Sequence, residues 1–213
     1  MESTDAAELI SEIREEMEEN REQQVAEGRF RSAAAMVIAV MAMILAIASL
    51  GGDNVGEAMI HNNIAASDTW AFYQAKNVRQ TSYRLAAEEL QTSLAGAGPQ
   101  MSPEVRREVQ QRIDGYLTTV ARYDDEPDAA APGDSLRGEG KRQLSARARM
   151  HEAARERAGR QDDNFDYASI LLQIAIVLGS VSLLASSRKV LALALSLAVA
   201  GAGLTLNGFM LLV

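Results

Sequence analysis

Few side chains in this sequence have the types and spacing needed for chemistry. His61 and His151 are the only histidines, neither has a second ligand at metal-binding spacing, and there is no cysteine. Thiolate metal ligation, a cysteine nucleophile and disulfides are therefore excluded. Gly201, Gly203 and Gly208 superficially match a dinucleotide-binding loop. Such a loop joins a strand to a helix, whereas these glycines lie inside an uncharged apolar run. The many carboxylates have the density of solvated helix faces. The sequence thus reads as non-enzymatic, with no catalytic residue, cofactor or metal expected. The formal charge of −8 argues against a nucleic-acid partner, because phosphate binding needs a cationic footprint.

The most distinctive stretch is 62–80, NNIAASDTWAFYQAKNVRQ, which holds the only tryptophan. Trp70, Tyr73 and Asn77 fall on one helical face, at i, i+3 and i+7. Lys76 is too far along from Asp68 for a direct pair within the helix, so its partner must come from elsewhere. One reading is a polar and aromatic contact with a ligand or another subunit. The other is that the rings fill a helical hairpin core while the polar groups satisfy one another, which is the commoner fate of aromatics at helical spacing. Under either reading Trp70, Tyr73, Lys76 and Asn77 are the residues to test for assembly.

In this stretch the chain resembles an uncharacterised bacterial membrane-protein family, domain of unknown function 4337. The resemblance rests on Ala66-Ser67-Asp68, Trp70 and Tyr73-Gln74-Ala75-Lys76, and on the order of acidic arm, single span, helical middle and paired C-terminal spans. It implies that layout and no activity.

Three uncharged apolar runs must position these groups: 33–50, 168–187 and 190–213, with only Arg188 and Lys189 between the last two. Eighteen residues of helix at a rise of about 1.5 Å each span about 27 Å, near the thickness of a bilayer's hydrocarbon core. The expected fold is an all-α membrane protein with three transmembrane helices, the last two forming an antiparallel hairpin, and a helical-hairpin extramembrane domain between the first and second. A cleaved signal peptide fits the first run poorly, because the arm ahead of it is long and acidic. Arg21, Arg29 and Arg31 precede the first run, and Arg188 and Lys189 cap the hairpin. The positive-inside rule then puts the N-terminus in the cytoplasm of a multi-pass protein of the inner (plasma) membrane.

Within the membrane Gln173 and Asn207 are the only amides, accompanied by Ser180, Ser182, Ser196 and Thr205. Gln173 is expected to face another helix or a wet cavity. Ala194, Ala198 and Ala202, with Gly201 and Gly203, give the third span a small-residue face for close helix contact. Interhelical bonding is the simpler role for these groups, since a conduction path calls for ionisable groups or repeated polar rings.

The polar parts divide further. Residues 1–32 form an acidic amphipathic helix with a narrow seam of Ala6, Leu9, Ile10, Ile13 and Met17, and with Thr4 or Asp5 as N-cap; a seam of this kind needs a partner helix. Residues 51–123 form the extramembrane hairpin. One long helix, continuing the first span with a weak point at Gly51 and Gly52, turns near Pro99 into a second helix opening at Ser102 or Pro103. Residues 124–140, DDEPDAAAPGDSLRGEG, have the composition of a flexible acidic linker. Residues 141–167 form a basic helix leading into the second span, its arginines expected to pair with Glu88, Glu89, Glu104 or Glu108 more readily than with lipid headgroups.

The function expected is that of a self-associating scaffold or assembly component, with membrane lipid and further copies of itself as partners. The alternatives are a subunit of an oligomeric channel or transport complex, and an accessory or sensor subunit that binds a protein partner.

Overall fold

The computed structural model describes the backbone of residues 2–98 and 101–212, and the side chains of Arg14, 16–98 and 101–212. Four helices follow in order: α1 (Glu2–Gly96), α2 (Pro103–Asp124), α3 (Lys141–Ala185) and α4 (Arg188–Met210). Among the described residues there is no strand, only an isolated antiparallel bridge between Pro127 and Gly138. By length and composition α1, α3 and α4 are each able to cross a membrane. α1 runs unbroken through Gly51 and Gly52, where the sequence led us to expect a weak point. Of the N-terminal seam, the side chains from Ala6 to Ile13 lie outside the described residues, as do those of Thr4 and Asp5; the helix itself begins at Glu2.

The chain divides into two compact units, one made of residues 1–56 and 159–213 and the other of 57–158. In the first unit the core is Met41, Ala48, Phe165, Ala168, Leu172, Ala175, Ala194 and Ala198. The helices approach closely because small residues meet large ones. A Cβ added at Gly179 would come within 2.9 Å of Ile38, and one at Gly201 within 2.8 Å of Leu172 and 3.2 Å of the Ala168 carbonyl oxygen. As the contact on α1 moves from Gly51 back to Ile38, its partner on α3 advances from Phe165 to Gly179. The pairs Phe165–Gly208 and Leu172–Gly201 show the same opposition between α3 and α4, so both neighbours run antiparallel to α3. The face of α4 that the sequence offered for close helix contact is thus used inside the chain: Ala194, Ala198 and Gly201 are buried, Ala202 is half-buried and Gly203 is exposed.

Phe165, 1% exposed, ties the three helices together. Its ring edge lies where a Cβ at Gly51 would come within 2.6 Å and one at Gly208 within 2.8 Å. Phe209 meets the ring edge-on, with centroids 4.9 Å apart and planes at 75°, a favoured aromatic geometry. The α3–α4 turn is closed from both sides: Ser182 donates its hydroxyl to the Ser187 carbonyl at 2.9 Å, and the Ser187 N–H donates to the Ser182 carbonyl at 3.1 Å. Ser186 adopts the left-handed conformation there, with φ 46°. Arg188 and Lys189, placed between the spans by the sequence, form the first turn of α4.

The second unit comprises the later part of α1, α2, the connection 125–140 and the start of α3. Ser102 caps α2, accepting from the Val105 N–H, and Pro103 opens the helix, where its missing N–H costs no hydrogen bond. Ile113 is buried, and Tyr83 of α1 meets Tyr116 and Tyr123 of α2 with centroids 5.5 and 6.0 Å apart. Gln80 fixes the register of the pair, donating to the Val120 carbonyl at 2.8 Å.

Of residues 124–140, whose composition reads as a flexible linker, Asp124 ends α2 and 125–140 carry a hydrogen-bonded structure of their own. Three successive turns close at Ala131, Asp134 and Arg137. Asp128 and Asp134 each accept from the backbone N–H two residues on, at 2.9 Å, which mimics a backbone turn. Arg137 pairs with Asp128 at 3.1 Å. Gly138 has φ +117°, and a Cβ there would meet the Glu126 carbonyl oxygen at 2.2 Å, so only glycine allows the bridge to Pro127. The same Asp, Pro and Gly content that signals disorder supplies, in this order, a chain of turns.

Candidate interaction site

The seam singled out in the sequence lies in the second unit, where α1 runs antiparallel to the start of α3. As α1 advances from Asn63 to Asn77, its partners on α3 retreat from Arg155 to Lys141. Trp70 donates its indole N–H to Glu152 at 2.8 Å and meets Tyr73 edge-on, with centroids 5.4 Å apart. Asn77 accepts from Lys141 at 3.1 Å, and the Lys141 ammonium also stands 5.7 Å from the Tyr73 ring centroid. Asn62 is within 2.9 Å of His151 Nδ1, and Asn63 accepts from Arg155 at 3.2 Å. The structure therefore brings Trp70, Tyr73 and Asn77 together on one face, as their spacing requires, and joins them to α3 of the same chain.

Lys76 is the most deeply set charge in the unit, 5% exposed. Its ammonium donates to Glu126 at 2.9 Å and to the Glu139 backbone carbonyl, and it lies 5.3 Å from the centroid of Tyr123 and 5.8 Å from that of Phe72. An ammonium taken out of water needs this kind of enclosure by a carboxylate, a carbonyl and ring faces. Both oxygen ligands come from the segment 125–140, so Lys76 is the clamp that seats that segment. Its distance from Asp68 signalled that the partner lay elsewhere, but nothing in the sequence pointed to Glu126 or Glu139.

The basic start of α3 is neutralised by residues other than the expected glutamates. Lys141 pairs with Asp124 at 3.5 Å and Arg142 with Asp125 at 3.0 Å, while Gln143 donates to Asp125 and accepts from the Glu126 N–H. Glu104 and Glu108 pair within α2, with Arg107 and Arg112. The local geometry explains this: Asp124 and Asp125 end α2, and the structured connection returns the chain to Lys141 beside them.

In the first unit the two amides of the candidate spans have different fates. Asn207 donates to Asn164 at 2.9 Å and accepts from the Leu212 N–H at 2.9 Å; it thereby serves the left-handed C-terminus of α4, where Leu211 has φ 48°. Close by, Gln161 donates to the Gly208 carbonyl. Gln173 is exposed on the outside of α3, so among the described residues it faces neither another helix nor an enclosed cavity. Asp162, ahead of the apolar run, has its carboxyl pushed above the usual range by burial and by the neighbouring Asp166 and Asp163. No group of three or more histidine and carboxylate residues is placed to hold a metal among the described residues.

A family model described as "Domain of unknown function (DUF4337)" matches residues 30–211. No curated protein and no solved structure matches the chain.

Proposed function

Since the chain belongs to the DUF4337 family, whose description carries no activity, we propose from the physical features alone that it is a non-enzymatic, self-associating integral membrane protein acting as a scaffold or assembly component. The observation that carries this reading is the outer surface of the first unit. Met36, Val40, Met43, Ile47 and Leu50 on α1, Ile170, Val177 and Leu184 on α3, and Leu193, Leu195, Val199 and Leu206 on α4 are all exposed. Apolar surface of this extent, on three helices long enough to cross a bilayer, is stable in lipid or against other copies and costly in water. The tight α3–α4 turn and the antiparallel α1 support three crossings. The basic residues flanking them support a cytoplasmic N-terminus and hairpin turn.

The polar unit supports a structural role, because its distinctive side chains are spent on one another: Trp70 on Glu152, Lys76 on Glu126 and Asn77 on Lys141. Self-association is supported by the arm ahead of the first span, where Met17 and Val25 are 66% and 51% exposed. Apolar side chains left exposed on this arm call for a partner helix. The test is the mass of the intact protein in nanodiscs, by light scattering corrected for lipid. A defined oligomer is expected; a single chain at all concentrations overturns the scaffold reading.

A further inference from the structure

Among the described residues, four hydroxyls of the candidate spans find partners within the chain. Ser180 donates to the Ile176 carbonyl, Ser182 to that of Ser187, Ser196 to that of Leu193 and Thr205 to that of Gly201, and Asn207 is held by Asn164. Gln173 differs. Its amide makes no hydrogen bond among the described residues and stands on an exposed face with Ile170, Val177 and Leu184, which are 52%, 62% and 83% exposed. In hydrocarbon an open amide is costly, and water is not there to satisfy it.

We infer that Gln173 pairs with Gln173 of a second copy of the chain across a two-fold axis parallel to α3. The inference rests on the membrane-spanning, self-associating reading above and specifies its contact. Three observations select this occupant. A carboxamide both donates and accepts, so it is complementary to itself. Copies of one chain insert with the same orientation, so α3 meets α3 in parallel at equal depth, and a two-fold axis along the membrane normal sets each residue opposite its own equivalent. A different protein would have to present an amide at the same depth. Finally, Ile170, Gln173, Val177, Ser180 and Leu184 are all exposed and follow the alternating three-and-four spacing of a helix-pair seam. Ser180, two helical turns along the same seam, supplies a small residue that permits close approach.

A rival seam is built into the same face: Ile170, Ile174, Val177, Val181 and Leu184 are also exposed at this spacing, but that register leaves the amide at the flank, in lipid. The absence of native cysteine allows the two to be separated in the full-length protein in membranes. A disulfide forms only when Cα atoms approach within about 4.4–6.8 Å. Ser180→Cys, which keeps Gln173, is expected to cross-link efficiently, and Ile174→Cys and Val181→Cys poorly. Gln173→Leu is expected to weaken association about three- to twentyfold, the range for an interhelical hydrogen bond in a membrane, and Gln173→Asn to retain most of it. If Val181→Cys and Ile174→Cys cross-link in preference to Ser180→Cys, or Gln173→Leu associates as wild type does, the amide pair is refuted while self-association stands. If the wild-type chain is monomeric throughout, both fall.

Discussion

Adding one methyl group to α4 is expected to have opposite effects at two positions of that helix. In a helix interior, Gly→Ala gains up to about 1 kcal/mol from backbone entropy and propensity. At Gly203 a Cβ meets nothing within 4 Å, so Gly203→Ala should stabilise by a few tenths to about 1 kcal/mol. At Gly208 the same Cβ would lie 2.8 Å from two atoms of the Phe165 ring. That ring edge is shared with Gly51 of α1, where a Cβ would come within 2.6 Å, so it has little room to yield in either direction. Overpacking of this kind costs about 1–3 kcal/mol, which exceeds the propensity gain and leaves Gly208→Ala destabilised by about 1–2 kcal/mol. Phe165→Leu, which shortens the clashing edge, should recover part of the loss, and the double mutant should be more stable than the sum of the two single effects. The assay is the unfolding midpoint in mild detergent, followed by circular dichroism at matched protein and detergent concentrations. Equal shifts for Gly203→Ala and Gly208→Ala, or strict additivity of Gly208→Ala with Phe165→Leu, would refute the close packing of Phe165 on α4.

Lys76→Met should release the segment 125–140, costing about 1–3 kcal/mol because a buried charge partner is lost while Glu126 can still reach water; protease cleavage within 125–140 should rise while the rest of the chain stays resistant. Glu152→Ala removes the acceptor of the indole N–H and should cost about 1 kcal/mol or more. It should also shift the emission of Trp70, the only tryptophan, to longer wavelength; unchanged emission would contradict the Trp70–Glu152 bond. The raised carboxyl of Asp162 means that its ionised form is held less favourably in the folded than in the unfolded chain. Its contribution is therefore most favourable below the unfolded value and is lost as pH rises through the folded one. Asp162→Asn should stabilise the protein at neutral pH, with the advantage shrinking as the pH is lowered into the carboxylate range; an advantage that is constant with pH would count against this account.

The helices were largely legible in the sequence because uncharged runs and helical periodicity are local signals. The paired runs on either side of Arg188, the long helix through Trp70 and the opening of α2 at Pro103 could all be read directly. Partner choice was less legible. The spacing of Trp70, Tyr73 and Asn77 gave a face but not Glu152 or Lys141, since a face does not name what covers it. Residues 125–140 misled because composition was read without order: the positions of Asp128, Asp134 and Gly138 make turns that the same residues shuffled would not make. Phe165 carried no signal of its own, and its role follows from glycines far away in the chain. Ile13 and the seam before it fall outside the side chains described, so the pairing of the N-terminal arm rests on Met17 and Val25.

The packing of Phe165 also sets an order of events during synthesis. Gly51 leaves the ribosome long before Phe165, but the α4 side of the ring's surroundings, Gly208 and Phe209, is made more than forty residues after it. Until then α3 carries a large ring with only one of its two glycine neighbours, and α1 is held without the helix that completes the site. A released chain ending between residues 187 and 207 would have its first two apolar helices complete and Phe165 open on its α4 side. Such a chain leaves the Phe165 ring uncovered, whereas in the chain extended through Phe209 that ring is 1% exposed.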